Sequence, residues 1–307
     1  MRMAKLANLD VSAIGLGCNN FGRALDAKGS AVVVNAALDA GVNYFDTASN
    51  YGEGQSESFL GAGLGSRRKD AVIGTKFGVA VKGWEGSGGA SPEYVRKATE
   101  RSLRELDTDY IDLLMIHFPY PETPIEDTLE AMSALIDQGK VRQIGCSNFD
   151  PTQLSEALDV SEEKGLAGFI GNQVQYSMLH REPETSGVDQ VCLDRGVGLL
   201  PFYPLANGLL TGKTRRGEPP KGRLQMDRYQ KFLTDENFDI VEGVEAFAQA
   251  RDLSMVEVAL GWLLAQEAVP SVTPGATTAD QVASNVRAAD WTPSSDDLVE
   301  LEKVLGG

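Results

Sequence analysis

Apolar and polar positions follow two patterns that alternate along the chain almost from end to end. Short, nearly continuous apolar runs are typical of strands buried on both faces, and a repeat of about 3.6 residues is typical of amphipathic helices. The apolar runs predict eight strands, at residues 14–18, 44–47, 72–77, 110–117, 141–146, 169–173, 197–202 and 271–274.

The stretches between these runs predict helices, and several begin at recognisable capping residues. Ser30 and Asp150 each precede a helical stretch, and Ser91 precedes a proline at the first helical position. Residues 123–126 and 254–257 match the capping-box pattern. The predicted helices cover residues 31–40, 57–65, 92–106, 152–164, 187–195, 240–251, 255–266, 280–288 and 295–304, with a further helix that opens at residue 125.

This order of elements indicates the fold. Eight strand–helix alternations predict an α/β (β/α)8 TIM barrel, formed as a single domain by residues 1–307. An N-terminal β-hairpin at residues 2–6 and 11–13 and extra C-terminal helices are expected in addition. The loop at 211–236 is interpreted as a functional flap. A doubly wound open sheet is the alternative, but the first βα turn lacks the third glycine of a dinucleotide fingerprint.

Charge and composition narrow the classes of partner. The chain has 28 basic and 44 acidic residues, a net charge of −16, which disfavours nucleic acid and anionic membranes as partners. An anionic ligand would need a local concentration of positive charge. Three widely spaced cysteines predict neither a disulfide framework nor a metal site. No apolar run resembles a membrane span or a signal core, so a cytoplasmic location is expected.

Polar side chains follow three of the predicted strands. Asp46 ends the second strand, with Tyr51 just beyond it, Lys76 lies near the end of the third, and His117 ends the fourth. In a (β/α)8 barrel the carboxyl ends of the strands meet at one rim, where the chemistry takes place. Each of these side chains alone has an ordinary explanation as a turn, surface or packing residue. The four at successive strand ends predict a catalytic group.

The chemistry that suits this group is proton transfer to a carbonyl oxygen during hydride transfer. A tyrosine with a pKa of about 10 is a poor acid or base at neutral pH, and an adjacent ammonium lowers that pKa. Two such charges about 4 Å apart attract by about 4 kcal/mol at an effective dielectric constant of about 20. We therefore expect Lys76 to lower the pKa of Tyr51, Asp46 to orient Lys76, and His117 to donate to the carbonyl oxygen.

Five stretches together resemble the aldo-keto reductase family. They are DTASNYG at 46–52, GTKF at 74–77, DYIDLLMIH at 109–117, GKVRQIGCSNF at 139–149 and PLANGLLTGK at 204–213. The resemblance runs over nearly the whole chain. It implies a barrel that binds NAD(P) without a Rossmann fold, and a catalytic tetrad of Asp46, Tyr51, Lys76 and His117, with Tyr51 as general acid or base.

The resemblance also implies a set of cofactor contacts. Ser147, Asn148 and Gln173 would hold the nicotinamide carboxamide, and Phe202 would stack on the ring. The pyrophosphate would lie near Lys213 and Arg223, and the adenosine near Thr277 and Gln281. Further contacts are expected at Tyr203, Pro204, Leu205, Gly208, Gly275 and Asn285. Many members of the family that prefer NADPH have a lysine or arginine in this region, and this chain has none at 270–286. Other members use a hydroxyl and an amide instead, a pattern that Thr277 and Gln281 fit, so the resemblance favours NADP(H), with NAD(H) as the alternative.

The leading hypothesis is therefore an NAD(P)(H)-dependent reductase of aldehydes or ketones, with a small carbonyl or alcohol as its partner. A second hypothesis is a dehydrogenase that oxidises an alcohol, hemiacetal or sugar, because the same tetrad serves both directions. A third, from another class, is a nucleotide-sensing binding subunit, since potassium-channel β subunits resemble the same family. No metal is expected, because the two histidines form no cluster with cysteines or with each other.

Overall fold

The apolar runs form a parallel sheet that curls into a barrel. In the computed structural model, which describes residues 1–306, each of seven strands is hydrogen bonded in parallel to the next one in chain order. An antiparallel hairpin, β1 and β2, precedes them. The strands are β1 (Met3–Leu6), β2 (Leu9–Ser12), β3 (Leu16–Gly17), β4 (Tyr44–Asp46), β5 (Val72–Phe77), β6 (Ile111–Ile116), β7 (Val141–Ser147), β8 (Gly171–Gln175) and β9 (Gly198–Phe202).

The eighth position of the barrel is filled, but not by a regular strand. The prediction of a strand at 271–274 was wrong in that respect, since this segment makes only isolated bridges to β3 and its flank. On the β3 side Val272 accepts from Gly15 at 2.8 Å and donates to Ala13 at 2.9 Å, and on the β9 side the Thr273 hydroxyl donates to the backbone oxygen of Pro201 at 3.5 Å. Pro270 and Pro274 bound the segment and have no N–H to continue a ladder.

Helices cover the outside of the barrel. They are α1 (Ala27–Asp39), α2 (Ser56–Leu64), α3 (Pro92–Glu105), α4 (Ile125–Asp137), α5 (Pro151–Lys164), α6 (Glu182–Ser186), α7 (Val188–Asp194), α8 (Asp227–Gln230), α9 (Asp235–Gln249), α10 (Met255–Leu264), α11 (Ala279–Arg287) and α12 (Ser295–Val304). Apolar side chains between the helices and the outer face of the sheet form the larger core. The long segment predicted as a polar flap holds α8 and a short 3₁₀ turn, Gly222–Gln225.

Most helix starts agree with the capping predictions. Ser91 caps α3, and the capping boxes at Asp150 and Ser254 are both formed. Two predictions were wrong. Helix α1 begins earlier than expected, with Asp26 accepting from the backbone of Gly29, and the box expected from Thr123 does not form because α4 starts after Pro124 with no side-chain cap.

The hairpin plugs the amino-terminal end of the barrel. Leu6, Leu9 and Val11 form a second, smaller core with Tyr44 of β4 and with apolar side chains of β6 and β9. The contact is tight, since a Cβ added at Gly198 would lie 2.5 Å from a methyl group of Leu6. With this end filled by apolar side chains, the opposite rim is the one that remains open for a ligand.

Candidate active site

A cavity of about 1480 Å³ opens at the carboxyl-terminal ends of the strands. Every residue predicted for the site lines it except Lys76, which lies fully buried beneath it. The fold therefore brings together side chains that are up to about 240 positions apart in the sequence, from Asp46 to Asn285.

Lys76 is the buried charge at the floor of the cavity. Its ammonium donates to Asp46 Oδ1 at 2.7 Å and to the backbone oxygen of Thr47 at 2.6 Å. Burial by itself lowers the pKa of Lys76. Asp46 and Tyr51 together raise this pKa by more than burial lowers it, so the net shift is upward. Lys76 is therefore a permanent cation at neutral pH, and Asp46 is placed to orient it.

Tyr51 lies directly above this ion pair. The Lys76 ammonium is 5.0 Å from the centre of the Tyr51 ring, and both Lys76 and Asn19 are close enough to the hydroxyl to lower its pKa. Burial nevertheless raises the pKa of Tyr51 by more than these neighbours lower it. The expected lowering by Lys76 is present, but the net shift is upward because desolvation of the phenolate is the larger effect. The phenol remains protonated at neutral pH.

His117 faces Tyr51 across the cavity. The two ring centres are 5.9 Å apart and nearly perpendicular, and Phe118 stacks on the other side of the imidazole at 5.2 Å. Burial, and next the charge of Lys76, lower the pKa of His117 to about 3. The imidazole is therefore neutral, with one N–H to donate. Within residues 1–306 its Nδ1 atom is buried and has no hydrogen-bond partner.

Ser147, Asn148 and Gln173 form a connected polar wall beside the ion pair. Asn148 donates to Ser147 Oγ at 3.0 Å and to the backbone oxygen of His117 at 2.9 Å, and Gln173 donates to Asp46 Oδ1 at 3.0 Å. The amide donors are thereby occupied in part, while the side-chain oxygens of Asn148 and Gln173 remain available. An amide group of a ligand could donate to these oxygens.

Left-handed backbone follows β9 on the next side of the cavity. Tyr203, Ala206 and Asn207 have φ values of 53°, 47° and 58°, and Gly208 follows at 103°. Such runs turn backbone N–H groups toward a concave surface, which suits an anion. Asn207 Oδ1 is buried there without a partner among the described residues, an orphaned acceptor that suits a hydroxyl of a bound ligand.

Two basic side chains, Arg223 and Lys213, line the same cavity as the left-handed backbone after β9. Arg223 donates from Nη2 to Asn19 Oδ1 at 3.2 Å and to Asn20 Oδ1 at 3.1 Å, which ties the long segment to the loop after β3. Lys213 lines the cavity and is exposed. A pyrophosphate would fit between these cations and the left-handed backbone.

The far end of the cavity lies at the start of α11. Gln281 Oε1 accepts from the backbone N of Thr277 at 2.7 Å and from its hydroxyl at 3.1 Å, which leaves the Gln281 amide donors available. Asn285 is buried one turn further along, and Asp280 also lines the cavity. The hydroxyl and amide expected at this end are therefore in contact with each other.

Sequence reasoning missed several residues of the cavity. Asn19 and Asn20 follow β3, so the strand-end rule that found Asp46 applies to them as well. Asn207 lies within the PLANGLLTGK stretch at 204–213 but was not singled out, and Arg23 and Arg228 lie in a loop and a short helix for which the sequence has no comparable signal.

Residues 1–306 lack the features of two other classes of site. They contain no group of three or more histidine, cysteine, aspartate or glutamate side chains placed to hold a metal ion. No helix in this part of the chain has the length and apolar character needed to span a membrane.

The geometry suits a flat, amide-bearing and phosphorylated ligand. The polar wall, the Phe202 ring at the end of β9 and the left-handed backbone fit the carboxamide, ring and pyrophosphate of a nicotinamide dinucleotide. Beside it, a protonated phenol and a neutral imidazole face the same space. This arrangement can deliver a proton to an oxygen that becomes negative as a hydride reaches its carbon.

Comparison with known proteins agrees with this arrangement. Residues 13–305 match the sequence profile described as "Aldo/keto reductase family". A "Probable voltage-gated potassium channel subunit beta" from Arabidopsis thaliana is 33% identical, over 97% of this chain and 94% of that protein. An "L-glyceraldehyde 3-phosphate reductase" from Escherichia coli is 32% identical, over 97% and 90%. A "Probable aldo-keto reductase 1" from Glycine max is 31% identical, over 95% and 85%.

Proposed function

This chain belongs to the aldo/keto reductase family, and we propose that it is an NAD(P)(H)-dependent enzyme that reduces aldehydes or ketones. The observation that carries the proposal is the buried Lys76–Asp46 ion pair beneath Tyr51, with His117 opposite. A buried ammonium is costly to maintain unless it is paired, and here the paired ammonium lies next to the Tyr51 phenol.

The proton step belongs to residues of this chain. Tyr51 donates its proton to the carbonyl oxygen, and Lys76 stabilises the phenolate that remains. His117, held neutral, donates a hydrogen bond to the same oxygen and fixes its direction. When bound, a reduced nicotinamide would supply the hydride that the carbonyl carbon takes up, and the proton from Tyr51 completes the alcohol.

Other parts of the chain position the cofactor. Ser147, Asn148 and Gln173 would hold the carboxamide, and Phe202 would stack on the ring. Arg223, Lys213 and the backbone from Tyr203 to Gly208 would hold the pyrophosphate. Remaining contacts would come from Pro204, Leu205, Gly275, Thr277, Gln281 and Asn285.

The direction we favour is reduction. Burial raises the pKa of Tyr51, so little of the phenolate that alcohol oxidation would need as its base is present at neutral pH. Oxidation of an alcohol needs the phenolate and should therefore become faster as the pH rises. NADP(H) is the cofactor we favour because of the Thr277–Gln281 pair, with NAD(H) as the alternative. We propose a cytosolic setting, in which three buried thiols stay reduced.

The test is a fluorescence titration with NADPH and NADH, followed by initial rates with a panel of aldehydes, ketones and alcohols. The panel includes L-glyceraldehyde 3-phosphate, the substrate in the name of one relative. Tyr51→Phe should keep cofactor affinity and lower turnover by about 10²–10⁴-fold. Unchanged turnover in that variant would remove Tyr51 from its role.

A second candidate function is favoured by one comparison. The similarity to a protein named as a potassium channel subunit beta suggests a nucleotide-binding subunit that acts through a partner. Such a protein would bind NADPH tightly, and the bound cofactor would be oxidised very slowly by every carbonyl in the panel. Single-turnover oxidation of bound NADPH separates the two functions.

A further inference from the structure

Three arginines meet a pair of tyrosines at one side of the cavity. Arg23 follows β3, and Arg223 and Arg228 belong to the long segment beside the mouth. The guanidinium carbons of Arg228 and Arg223 lie 4.8 Å and 5.8 Å from the centre of the Tyr229 ring. Arg23 lies close enough to the Tyr229 hydroxyl to lower its pKa. We call Arg23, Arg223 and Arg228 the arginine cluster.

The arginine cluster is not neutralised by carboxylates. None of its members forms an ion pair within residues 1–306, whereas Arg67, Arg195 and Arg251 on the outer surface each pair with a carboxylate. Burial raises the pKa of Tyr229, but a hydrogen bond with Tyr203 and the charges of the arginine cluster lower it by more. In a chain with a net charge of −16, these cations form a local positive field at the cavity wall.

Tyr203 connects the arginine cluster to the proposed reaction centre. Its ring lies 5.2 Å from that of Phe202, and the guanidinium carbon of Arg223 is 5.6 Å from its centre. Burial and the neighbouring phenols of Tyr229 and Tyr51 raise the pKa of Tyr203. Tyr203 therefore lies near both Arg223 and Tyr51, and all three arginines line the same cavity as Tyr51. A substrate whose carbonyl lies at Tyr51 would have its anionic group in the same cavity as these cations.

The three arginines differ in what they are free to bind. Arg223 is half-buried and already donates to Asn19 and Asn20, and it is the member expected to contact the cofactor pyrophosphate. Arg23 and Arg228 are exposed at the rim, and both line the cavity. Both lie next to Tyr229 and form no ion pair within residues 1–306, which leaves charged N–H groups available to a ligand.

We propose that Arg23 and Arg228 form an anion subsite for the substrate, so that the preferred carbonyl compounds carry a phosphate or carboxylate a few atoms from the carbonyl. A guanidinium presents paired N–H donors that match the oxygens of such groups. The inference rests on the proposed function, since it names the class of compound that the same cavity reduces.

The test compares a charged substrate with its neutral counterpart. Glyceraldehyde 3-phosphate and glyceraldehyde share the reacting aldehyde and differ in the phosphate. Arg23→Gln and Arg228→Gln should each raise KM for the phosphorylated aldehyde about tenfold and change KM for glyceraldehyde less than about twofold. Arg96→Gln is the matched control, because Arg96 is exposed on α3, lies outside the cavity and loses the same charge. It should change neither KM.

Binding measurements make the result independent of turnover. Calorimetry with glycerol 3-phosphate in the presence of oxidised cofactor should show binding to the wild type, weaker binding to both variants, and none for glycerol. The proposal is overturned if glycerol 3-phosphate fails to bind the wild type, or if the variants raise KM for both aldehydes by the same factor. It is also overturned if the variants lower the affinity for NADPH by the same factor as the affinity for the phosphorylated aldehyde, because the two arginines would then bind the cofactor.

The two proposals can fail separately. If glyceraldehyde is reduced but the phosphorylated aldehyde has no advantage that Arg23 and Arg228 account for, the anion subsite is wrong and the reductase stands. If no carbonyl compound is reduced, the proposed function is wrong, and the glycerol 3-phosphate titration alone decides whether Arg23 and Arg228 bind an anion.

Discussion

A single buried ammonium organises the residues around it. Lys76 holds Asp46 and the backbone of Thr47, and Asp46 in turn accepts from Gln173, so the cavity floor and its polar wall share one network. The same charge acts on both groups above it, because it lowers the pKa of His117 and opposes the rise in the pKa of Tyr51. The protonation states of Tyr51 and His117 are therefore set by two effects, burial and the charge of Lys76.

The neutral state of His117 has a consequence for stability. Its pKa is about 3 in the folded protein, below the ordinary value of 6.5, so the unfolded chain binds this proton more tightly. The contribution of His117 to the free energy of unfolding is therefore complete above about pH 6.5 and is lost as the pH falls toward 3, by at most about 1.4 kcal/mol per pH unit.

Urea denaturation at several pH values checks this prediction. His117→Gln, which has no titrating group at that position, should show a shallower loss of stability between pH 6 and pH 4. Parallel curves for the variant and the wild type would mean that His117 is readily protonated in the folded protein. The proposed hydrogen bond from a neutral imidazole would then need revision.

Cofactor preference is also decided by single side chains. If Thr277 and Gln281 contact the 2′-phosphate, the double variant Thr277→Ala and Gln281→Ala should lower the affinity for NADPH about tenfold or more. The affinity for NADH should change by less than about twofold. Fluorescence titration with each cofactor measures this. Asp280 lines the cavity beside this pair. Asp280→Asn removes a negative charge there and should raise the affinity for NADPH without changing the affinity for NADH. Equal changes for both cofactors in the double variant would refute the assignment.

At the scale of the element, short turns place the reactive side chains. Tyr51 opens a 3₁₀ turn, Tyr51–Gly54, in which Gly52 and Glu53 both have φ values of 58°. A Cβ at Gly52 would lie 2.1 Å from the backbone oxygen of Phe21, so the turn is packed directly against the loop after β3. The position of the phenol thus depends on the close approach of two loops.

Gly52→Ala should accordingly displace Tyr51. We expect turnover to fall at least about tenfold and the free energy of unfolding to fall by about 1–3 kcal/mol, because left-handed strain and a backbone clash add together. Gly65→Ala is the matched control: it also has a positive φ, 47°, but nothing lies within 4 Å of the added Cβ. Kinetics and thermal unfolding of both variants measure the difference.

A pair of variants with equal losses of turnover would show that the Gly52 contact does not position the phenol. Loss of stability without loss of turnover in Gly52→Ala would lead to the same conclusion. The expected result is a loss of turnover confined to Gly52→Ala, with a modest loss of stability in both.

At the scale of the whole molecule, the two ends of the barrel have separate tasks. The amino-terminal end is filled by the hairpin, with Leu6 buried among side chains of β4, β6 and β9. The cavity and every group proposed for chemistry lie at the other end. Changes at the plug should therefore alter stability and leave the chemistry intact.

Leu6→Ala tests this division. It should reduce the free energy of unfolding by about 2–5 kcal/mol, because the plug would be left with a void. Met3→Ala, on the same hairpin at a side chain that is 48% exposed, should have little effect. KM and turnover of the folded enzyme should be unchanged in both. A large change in KM for Leu6→Ala would show that the two ends are coupled.

The sequence by itself determined the order and class of the elements, the family, and the four residues grouped for catalysis. Apolar runs and caps are local signals, and strand ends are known to converge in a barrel, so Asp46, Tyr51, Lys76 and His117 could be grouped without coordinates. Even the error at 271–274 concerned only the regularity of a segment that still occupies the eighth position.

Only the tertiary structure decided whether burial or the neighbouring charges have the larger effect on the pKa of each grouped side chain. The pKa of Tyr51 rises because burial outweighs Lys76, and burial is a property of the packed molecule. The contact of Arg223 with Asn19 and Asn20 joins positions about 200 residues apart, and no local pattern announces it. Desolvation and long-range contacts depend on what surrounds a side chain in space, whereas periodicity and capping depend only on its neighbours along the chain.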